Sequence, residues 1–226
     1  MKLCLILVLL SIVRPAALAQ TMQFDSNVDP ALKTQVLNDF QFLQSIQGSK
    51  ASPIHQQTFG AVDGANYYSW FNQRVFNFGV QGCGGAGAVA CVIPKYHNKI
   101  WVTSNYINID HPQIARLMVV YHESRHSETS HGNWAHDTCP KPFLDENGKP
   151  MVSIWTGAAL AGEPACDSTA LGSYGSSTIL LKNISLNCSN CSSKVKMDAD
   201  MYATDQLGRI DKPAVKQAML ADFSGN

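Results

Sequence analysis

The segment from Asp110 to Cys139 is the part of this sequence that most constrains its fold. Its apolar residues recur at i, i+3, i+4 and i+7, the spacing of one face of a helix. These residues are Ile114, Leu117, Met118 and Tyr121. Asp110 or His111 can cap the start of the helix, Pro112 suits its first position, and Gly132 can end it. The segment therefore predicts an amphipathic helix that packs against a core.

This predicted helix carries the sequence His122-Glu123-x-x-His126. Residues four positions apart lie on one helix face, so both imidazoles can bind a single Zn²⁺ at about 2.0–2.1 Å. The carboxylate of Glu123 then stands beside the metal, where a general base accepts a proton from the attacking water. Ordinary surface or core histidines are the alternative, but a chance match would seldom fall on a capped amphipathic helix.

A buried helix with this motif, placed after the strand-like run Ile100–Thr103, resembles the zincin metallopeptidases. The resemblance extends from that strand to the segment near Asp167. It implies an α+β fold in which a small, twisted, mainly antiparallel sheet packs on the active-site helix. It also implies a Zn²⁺ cofactor and a peptide or protein substrate, which would lie along an edge strand formed by Trp101–Ile107.

A catalytic zinc needs a third protein ligand and an open position for water. The metzincin pattern would require a glycine at position 129 and a histidine at position 132, but this chain has Thr129 and Gly132. His131 is one residue short of that pattern. His136, ten residues after His126, could return to the metal on a loop and is one of two leading candidates.

The other leading candidate is Glu163, because the run from Glu163 to Asp167 matches the Glu-x-x-x-Asp spacing of gluzincins. In that pattern Asp167 would orient His122 through its second ring nitrogen. Asp167 could also be the ligand itself, as in aspzincins, although the remainder of their motif is only faintly echoed. Tyr174 is a candidate to stabilise the oxyanion, and a core tyrosine with a bonded hydroxyl is the alternative.

The first 19 residues have the form of a secretory signal peptide, with Lys2, an apolar run and a cleavage site at Ala17–Ala19. The mature protein should begin at Gln20 and be secreted, into the extracellular space or the periplasm. Lys2 and Arg14 leave with the signal, so the mature part has two fewer basic than acidic residues. This balance favours neither nucleic acid nor membrane binding, and we expect a monomeric, single domain over residues 20–226.

Six cysteines remain after removal of the signal, an even number that favours disulfides in an exported chain. We expect nearest neighbours to pair, as Cys83–Cys91, Cys139–Cys166 and Cys188–Cys191. A zinc knot at Cys188-x-x-Cys191 is the alternative, but no second close pair accompanies it.

The remaining patterns predict further helices, strands and loops. Helices are expected over Asp29–Gly48, from Pro164 to Ile184, over Lys194–Gln206 and over Pro213–Phe223. Tyr67–Val80 reads as a short helix and a strand, and Val89–Pro94 and Lys99–Ile109 read as paired strands. Ser49–Gly64 reads as a loop with a solvated His55. The glycines of Gly79–Ala88 lack the spacing of a nucleotide site.

The leading hypothesis is a secreted zinc peptidase with Glu123 as general base. One alternative is a zinc amidase that acts on cell-wall or other non-protein amides, since the metal chemistry is indifferent to what flanks the bond. The other is a non-catalytic secreted zinc-binding module, in which four ligands would close the site.

Overall fold

The computed structural model describes residues 21–85 and 87–225, and within them the chain has the expected α+β fold. The predicted signal peptide, residues 1–19, lies outside the described residues. The helices of the described part are α1 (Pro30–Ser45), α2 (Pro53–Phe59), α3 (Gly64–Asn72), α4 (Ser104–Ile107), α5 (Gln113–His126), α6 (Ser173–Asn187), α7 (Ser193–Gly208) and α8 (Pro213–Ser224). The strands are β1 (Gln23–Phe24), β2 (Asn77–Val80), β3 (Ala90–Val92), β4 (Lys99–Val102), β5 (Asp137–Thr138) and β6 (Pro164–Cys166).

The larger sheet has four strands in the order β1-β2-β4-β3, and it is not mainly antiparallel as expected. β1 and β2 are parallel, β2 and β4 are parallel, and only β3 and β4 are antiparallel. The helices α1 to α3 carry the chain from β1 back to the same end of the sheet, which is the connection that parallel neighbours require. The predicted pairing across residues 95–98 is confirmed, because it joins β3 to β4.

The edge strand next to α5 is β3, and the prediction that Trp101–Ile107 forms an edge strand is wrong. β4 lies between β2 and β3, so its two sides are already paired. It also ends at Val102, because the side chain of Thr103 accepts a hydrogen bond from the amide of Asn105 and caps α4.

Helix α5 runs through the centre of the core and contacts β3, β4, α1, α6 and α7. The four residues of its predicted apolar stripe are all buried. The helix follows Pro112 and ends at His126, earlier than the predicted stop at Gly132. Gly132 instead adopts a left-handed backbone conformation in the next turn. The helices predicted at the N-terminus and over the last third of the chain are present as α1, α6, α7 and α8.

Residues 49–64 are not a simple loop, because they contain α2 with Pro53 at its start. His55 on this helix is fully buried, contrary to the prediction of a solvated side chain. Its Nδ1 lies 2.9 Å from the carbonyl oxygen of Gly60, and its Nε2 lies 2.9 Å from the hydroxyl of Tyr67. Both ring nitrogens are therefore paired, which allows a neutral histidine to occupy the core.

The helix expected from Pro164 begins only at Ser173, because Pro164–Cys166 pairs with β5 as an antiparallel strand. Asp137 faces Cys166 in this small ladder. The predicted bridge between Cys139 and Cys166 is present beside it and ties the two short strands together.

All three predicted disulfides are confirmed, with Cα–Cα distances of 5.7, 5.1 and 5.6 Å for Cys83–Cys91, Cys139–Cys166 and Cys188–Cys191. These bridges indicate an oxidising compartment. Within the described ranges, none of the helices is both long enough and apolar enough to span a bilayer.

Candidate metal centre

Three imidazoles meet at the C-terminal end of α5. His122 and His126 come from the helix, and His136 comes from the residue just before β5. The Nε2 atom of His136 lies 3.1 Å from the Nε2 atoms of both His122 and His126, which are 3.3 Å from each other. Zinc–nitrogen bonds of about 2.0–2.1 Å in a tetrahedral site separate the ligand atoms by about 3.3–3.4 Å. The three nitrogens thus form one face of a site that can hold a metal ion.

The hydrogen bonds made by the Nδ1 atoms show that the Nε2 atoms of His126 and His136 carry lone pairs. His126 donates from Nδ1 to the carbonyl oxygen of Asn133 at 2.7 Å, and His136 donates from Nδ1 to a carboxylate oxygen of Asp167 at 2.8 Å. A neutral imidazole carries one N–H, so each Nε2 is left as an acceptor. Adjacent lone pairs cannot satisfy one another, whereas a shared cation satisfies them all. The donor set therefore fits a metal ion.

His122 contributes the third nitrogen from the most buried position. Its Nδ1 has no hydrogen-bond partner among the described residues. Burial, followed by the neighbouring His136, His126 and Arg209, holds the pKa of His122 well below its usual value. The imidazole is accordingly kept in the neutral form that metal coordination requires.

The turn after α5 explains how His136 reaches the metal site from ten residues away. Three consecutive residues, Gly132, Asn133 and Trp134, have positive φ angles of 62°, 58° and 46°. The two that are not glycine occupy a backbone region that is unfavourable for side chains with a Cβ. This turn reverses the chain and returns His136 to the end of α5.

Glu128 anchors this turn to the body of the protein. Its carboxylate accepts hydrogen bonds from Arg74 Nε at 2.6 Å, from Arg125 Nη1 at 2.7 Å and from Trp134 Nε1 at 2.7 Å. The side chain of Glu128 is 11% exposed, so these are largely buried, charge-assisted bonds. The conformation of the turn is therefore fixed at one of its strained residues, Trp134.

Asp167 orients a histidine, but that histidine is His136 and not His122 as predicted. The second carboxylate oxygen of Asp167 accepts from the backbone amide of Tyr174 at 2.7 Å. A Cβ on Gly172 would lie 2.4 Å from that oxygen, so only glycine leaves room for the carboxylate. His136 and Asp167 adjoin the facing ends of β5 and β6, which is why the small ladder brings them together.

The other third-ligand candidates lie outside the cluster of three histidines. Glu163 is exposed on the rim of the adjoining cleft. His131 is exposed and stacks on the ring of Trp134 at 4.9 Å. Asp167, another candidate ligand, instead accepts a hydrogen bond from Nδ1 of His136, the ring nitrogen that does not face the cluster. The candidate site therefore has three protein ligands, all of them histidine nitrogens, and Glu163 does not provide a fourth.

Glu123 lies in the wall of the same cleft and is 6% exposed. Burial raises the pKa of its carboxyl group to about 8, and a hydrogen bond from the amide of Val92 acts in the opposite direction. This contact connects the base candidate on α5 to the edge strand β3.

Tyr174 packs its ring against two of the metal-site histidines. Its ring centre lies 4.5 Å from that of His122 and 4.6 Å from that of His136. Its hydroxyl accepts a hydrogen bond from Arg209 Nη1 at 2.9 Å. Arginine can only donate, so the hydrogen of the tyrosine hydroxyl remains available to a further acceptor. Tyr174 thus combines features of the two roles considered from sequence. Its ring is packed, as in a core tyrosine, and its hydroxyl can still donate a hydrogen bond, as an oxyanion would require.

A cleft of about 630 Å³ opens beside the three histidines. Its lining includes residues 84–85 and 87–90, from the glycine-rich segment to the start of β3, together with residues of α5 and of the segment 153–165. Tyr174, Gln206 and Arg209 complete the lining. Its size and mixed lining suit a small-molecule or peptide ligand.

No family model, curated protein or solved structure matches this chain. What the protein does is therefore inferred from the residues of this site.

Proposed function

We propose that this protein is an exported zinc-dependent peptidase. The observation that carries the proposal is the convergence of three histidine nitrogens, 3.1–3.3 Å apart, at a cleft that also contains Glu123. Three protein ligands leave a position open for water, as in catalytic sites and unlike closed structural sites. The exposed position of Glu163, outside the cluster, supports an open site over the non-catalytic module.

His122, His126 and His136 would hold the ion. When bound, zinc would supply Lewis acidity, which polarises a carbonyl group and makes water more acidic. The charge of the ion also favours the ionised form of the neighbouring Glu123, against the effect of burial.

Glu123 then acts as the general base. Its carboxylate accepts a proton from the attacking water and delivers that proton to the amine that leaves. The amide of Val92, on the edge strand β3, also favours the ionised form of this carboxylate. Tyr174 offers its hydroxyl hydrogen to the oxygen that becomes negative, while Arg209 holds the hydroxyl oxygen.

The edge strand β3 supports a peptide substrate. Among the described strands β3 pairs only with β4, and Ala90 at its start lines the cleft together with Val89. An extended peptide can therefore add to this edge through backbone hydrogen bonds, which demand little of its sequence. β3 takes the place that the sequence analysis gave to Trp101–Ile107.

The substitution Glu123→Gln tests the proposal. The variant should keep one zinc per chain, measured by elemental analysis, and lose hydrolysis of casein-derived peptides by at least about 100-fold, followed by mass spectrometry. Glu146→Gln, a matched change at an exposed glutamate, should leave both quantities unchanged. Full turnover in Glu123→Gln would contradict the mechanism. Digestion of peptidoglycan but not of casein would favour the amidase instead.

A further inference from the structure

Arg209 is a buried cation in the cleft wall with few acceptors around it. The residue is 5% exposed, yet a guanidinium has five N–H donors. Among the described residues, the side chain of Arg209 makes one hydrogen bond, to the hydroxyl of Tyr174. Its Nε is buried and has no partner. A buried arginine in this state indicates that an acceptor is missing.

Asp205 does not supply that acceptor. Its carboxylate oxygen lies 3.6 Å from Nη2 of Arg209, beyond hydrogen-bonding distance. The same oxygen accepts instead from Nε2 of Gln206 at 2.8 Å. The charge of Arg209 is thus partly balanced, but its directional donors remain available.

Arg209 packs against the ring of Tyr174, close to the metal-site histidines. The guanidinium carbon lies 4.8 Å from the centre of the Tyr174 ring, and this ring in turn contacts the imidazoles of His122 and His136. The guanidinium carbon of Arg209 is therefore at most 9.3 Å from the ring centre of His122 and at most 9.4 Å from that of His136. Among the described residues that line the cleft, Arg209 is also the only lysine or arginine.

We infer that Arg209 binds a carboxylate of the substrate. A carboxylate only accepts hydrogen bonds, and its two oxygens match the paired donors of a guanidinium. This inference rests on the proposed peptidase function and narrows it to a substrate class. An extended peptide advances about 3.4 Å per residue. The carboxylate accordingly belongs to one of the first two residues beside the hydrolysed bond.

Two sources can supply this group, a free C-terminus or an acidic side chain, and paired peptides distinguish them. A bond that the zinc-loaded protein cleaves in casein-derived peptides would be placed in synthetic versions. In one pair the peptide ends at the first or the second residue after the bond, as a free acid or as an amide. In the other pair, an internal residue at either of the two positions beside the bond is glutamate or glutamine.

The wild-type protein should show a kcat/KM at least about tenfold higher for the acid than for the amide in one of these pairs, mainly through a lower KM. The pair that shows the preference identifies the source. Arg209→Gln should bring the acid-to-amide ratio of kcat/KM to within about twofold of unity. Arg209→Lys should retain part of this preference, because lysine keeps the positive charge but lacks the paired donors of the guanidinium. Lys212→Gln removes a nearby exposed cation and should preserve the ratio.

Binding of the same peptides to zinc-loaded Glu123→Gln, measured by calorimetry, separates this inference from the proposed catalysis. The acid should bind about tenfold more tightly than the amide, and short peptide pairs of arbitrary sequence would show this preference even if no casein peptide were hydrolysed. Equal kcat/KM and Kd values for acids and amides in both pairs would overturn the inference, whether or not Arg209→Gln folds. A preference that persists in folded Arg209→Gln would also overturn it.

Discussion

His126 and Asn133 bind each other twice. The Nδ1 of His126 donates to the backbone carbonyl of Asn133 at 2.7 Å, and the side-chain amide of Asn133 donates to the backbone carbonyl of His126 at 2.6 Å. The first bond fixes the ring nitrogen that faces the metal site, and the second satisfies a carbonyl at the end of α5. The turn is therefore part of the histidine site and not merely a connection.

Two substitutions at Asn133 separate its side chain from its backbone conformation. Asn133→Gly removes the side-chain amide and tolerates the positive φ, whereas Asn133→Ala also introduces a strained residue. We expect Ala to lower the free energy of unfolding by about 1 kcal/mol more than Gly, measured in urea on the metal-free protein. Equal losses in the two variants would show that the left-handed conformation is not maintained.

Asp167→Asn should weaken zinc binding about 10- to 100-fold, measured by competition with a chromophoric chelator. The amide retains one oxygen, but it cannot accept from both His136 and the backbone amide of Tyr174. Asp39→Asn is the matched control, because Asp39 is equally buried and pairs with Arg116 elsewhere in the core. The control should lower stability and leave the zinc Kd unchanged. An unchanged Kd in Asp167→Asn would contradict the role given to this carboxylate.

Glu128→Gln should lower the free energy of unfolding by about 3 kcal/mol, because it leaves two largely buried arginines without their carboxylate. Trp134→Phe removes only one of the hydrogen bonds to Glu128 and should cost about 1–2 kcal/mol. Because both changes loosen the turn that presents His136, both should also weaken zinc binding. Stability can be measured on the metal-free protein and zinc binding by chelator competition. A loss of stability with an unchanged zinc Kd would show that the turn does not position His136.

The stability of the fold should fall between pH 6.5 and pH 4 because of His55. Burial lowers the pKa of this histidine to about 4, against smaller opposing effects of the Gly60 carbonyl and Asp222. Below pH 6.5 the unfolded chain binds a proton that folded His55 does not accept, so stability decreases as the pH falls, by up to about 3 kcal/mol near pH 4.

Comparison with His55→Gln isolates this contribution. The variant should be less stable than wild type at pH 7, since two buried hydrogen bonds are altered, but its free energy of unfolding relative to that of wild type should rise as the solution is acidified. Urea unfolding of both metal-free proteins at pH 7, 5.5 and 4.5 measures the difference, and the other histidines contribute equally to each. Parallel pH profiles for the two proteins would contradict the pKa of His55.

The motif and the cysteines could be interpreted from sequence because they depend on local rules. The spacing of His122 and His126 and the apolar stripe of α5 both follow from helix geometry. The three disulfides join nearest neighbours along the chain, which the even cysteine count and the exported context favoured. The two histidines are one helical turn apart, and each cysteine pairs with the next cysteine along the chain.

The choice between His136 and Glu163 could not be made from sequence, because it depends on three consecutive left-handed residues. The Gly132-Asn133 dipeptide was the available signal, since both residues tolerate positive φ. Gly132 by itself predicts the end of a helix and not a turn that presents a ligand. Arg209 carries no such signal, because it lies at the end of α7 and reaches the cleft only through tertiary packing.

The prediction of the strand directions was wrong for a similar reason. The resemblance to zincins suggested a mainly antiparallel sheet, whereas the path of α1 to α3 makes β1 and β2 parallel. The error at His55 arose because Pro53 and Gly60 suggested a loop, although they border a short helix. Tertiary burial of aromatic neighbours, Phe59 and Tyr67, decided its environment.

The bridge between Cys139 and Cys166 has a consequence for how the protein matures. It fastens two strands of only two and three residues, whose neighbours are His136 and the carboxylate that holds it. With free thiols, only the hydrogen bonds of Asp167 and of the preceding turn would hold the third imidazole beside the other two, without a covalent tie between the strands. Folding in a reducing cytosol should therefore give a chain that captures zinc poorly, and oxidation should precede metal loading. Such an order would leave the three-histidine site without its metal until the disulfide has formed.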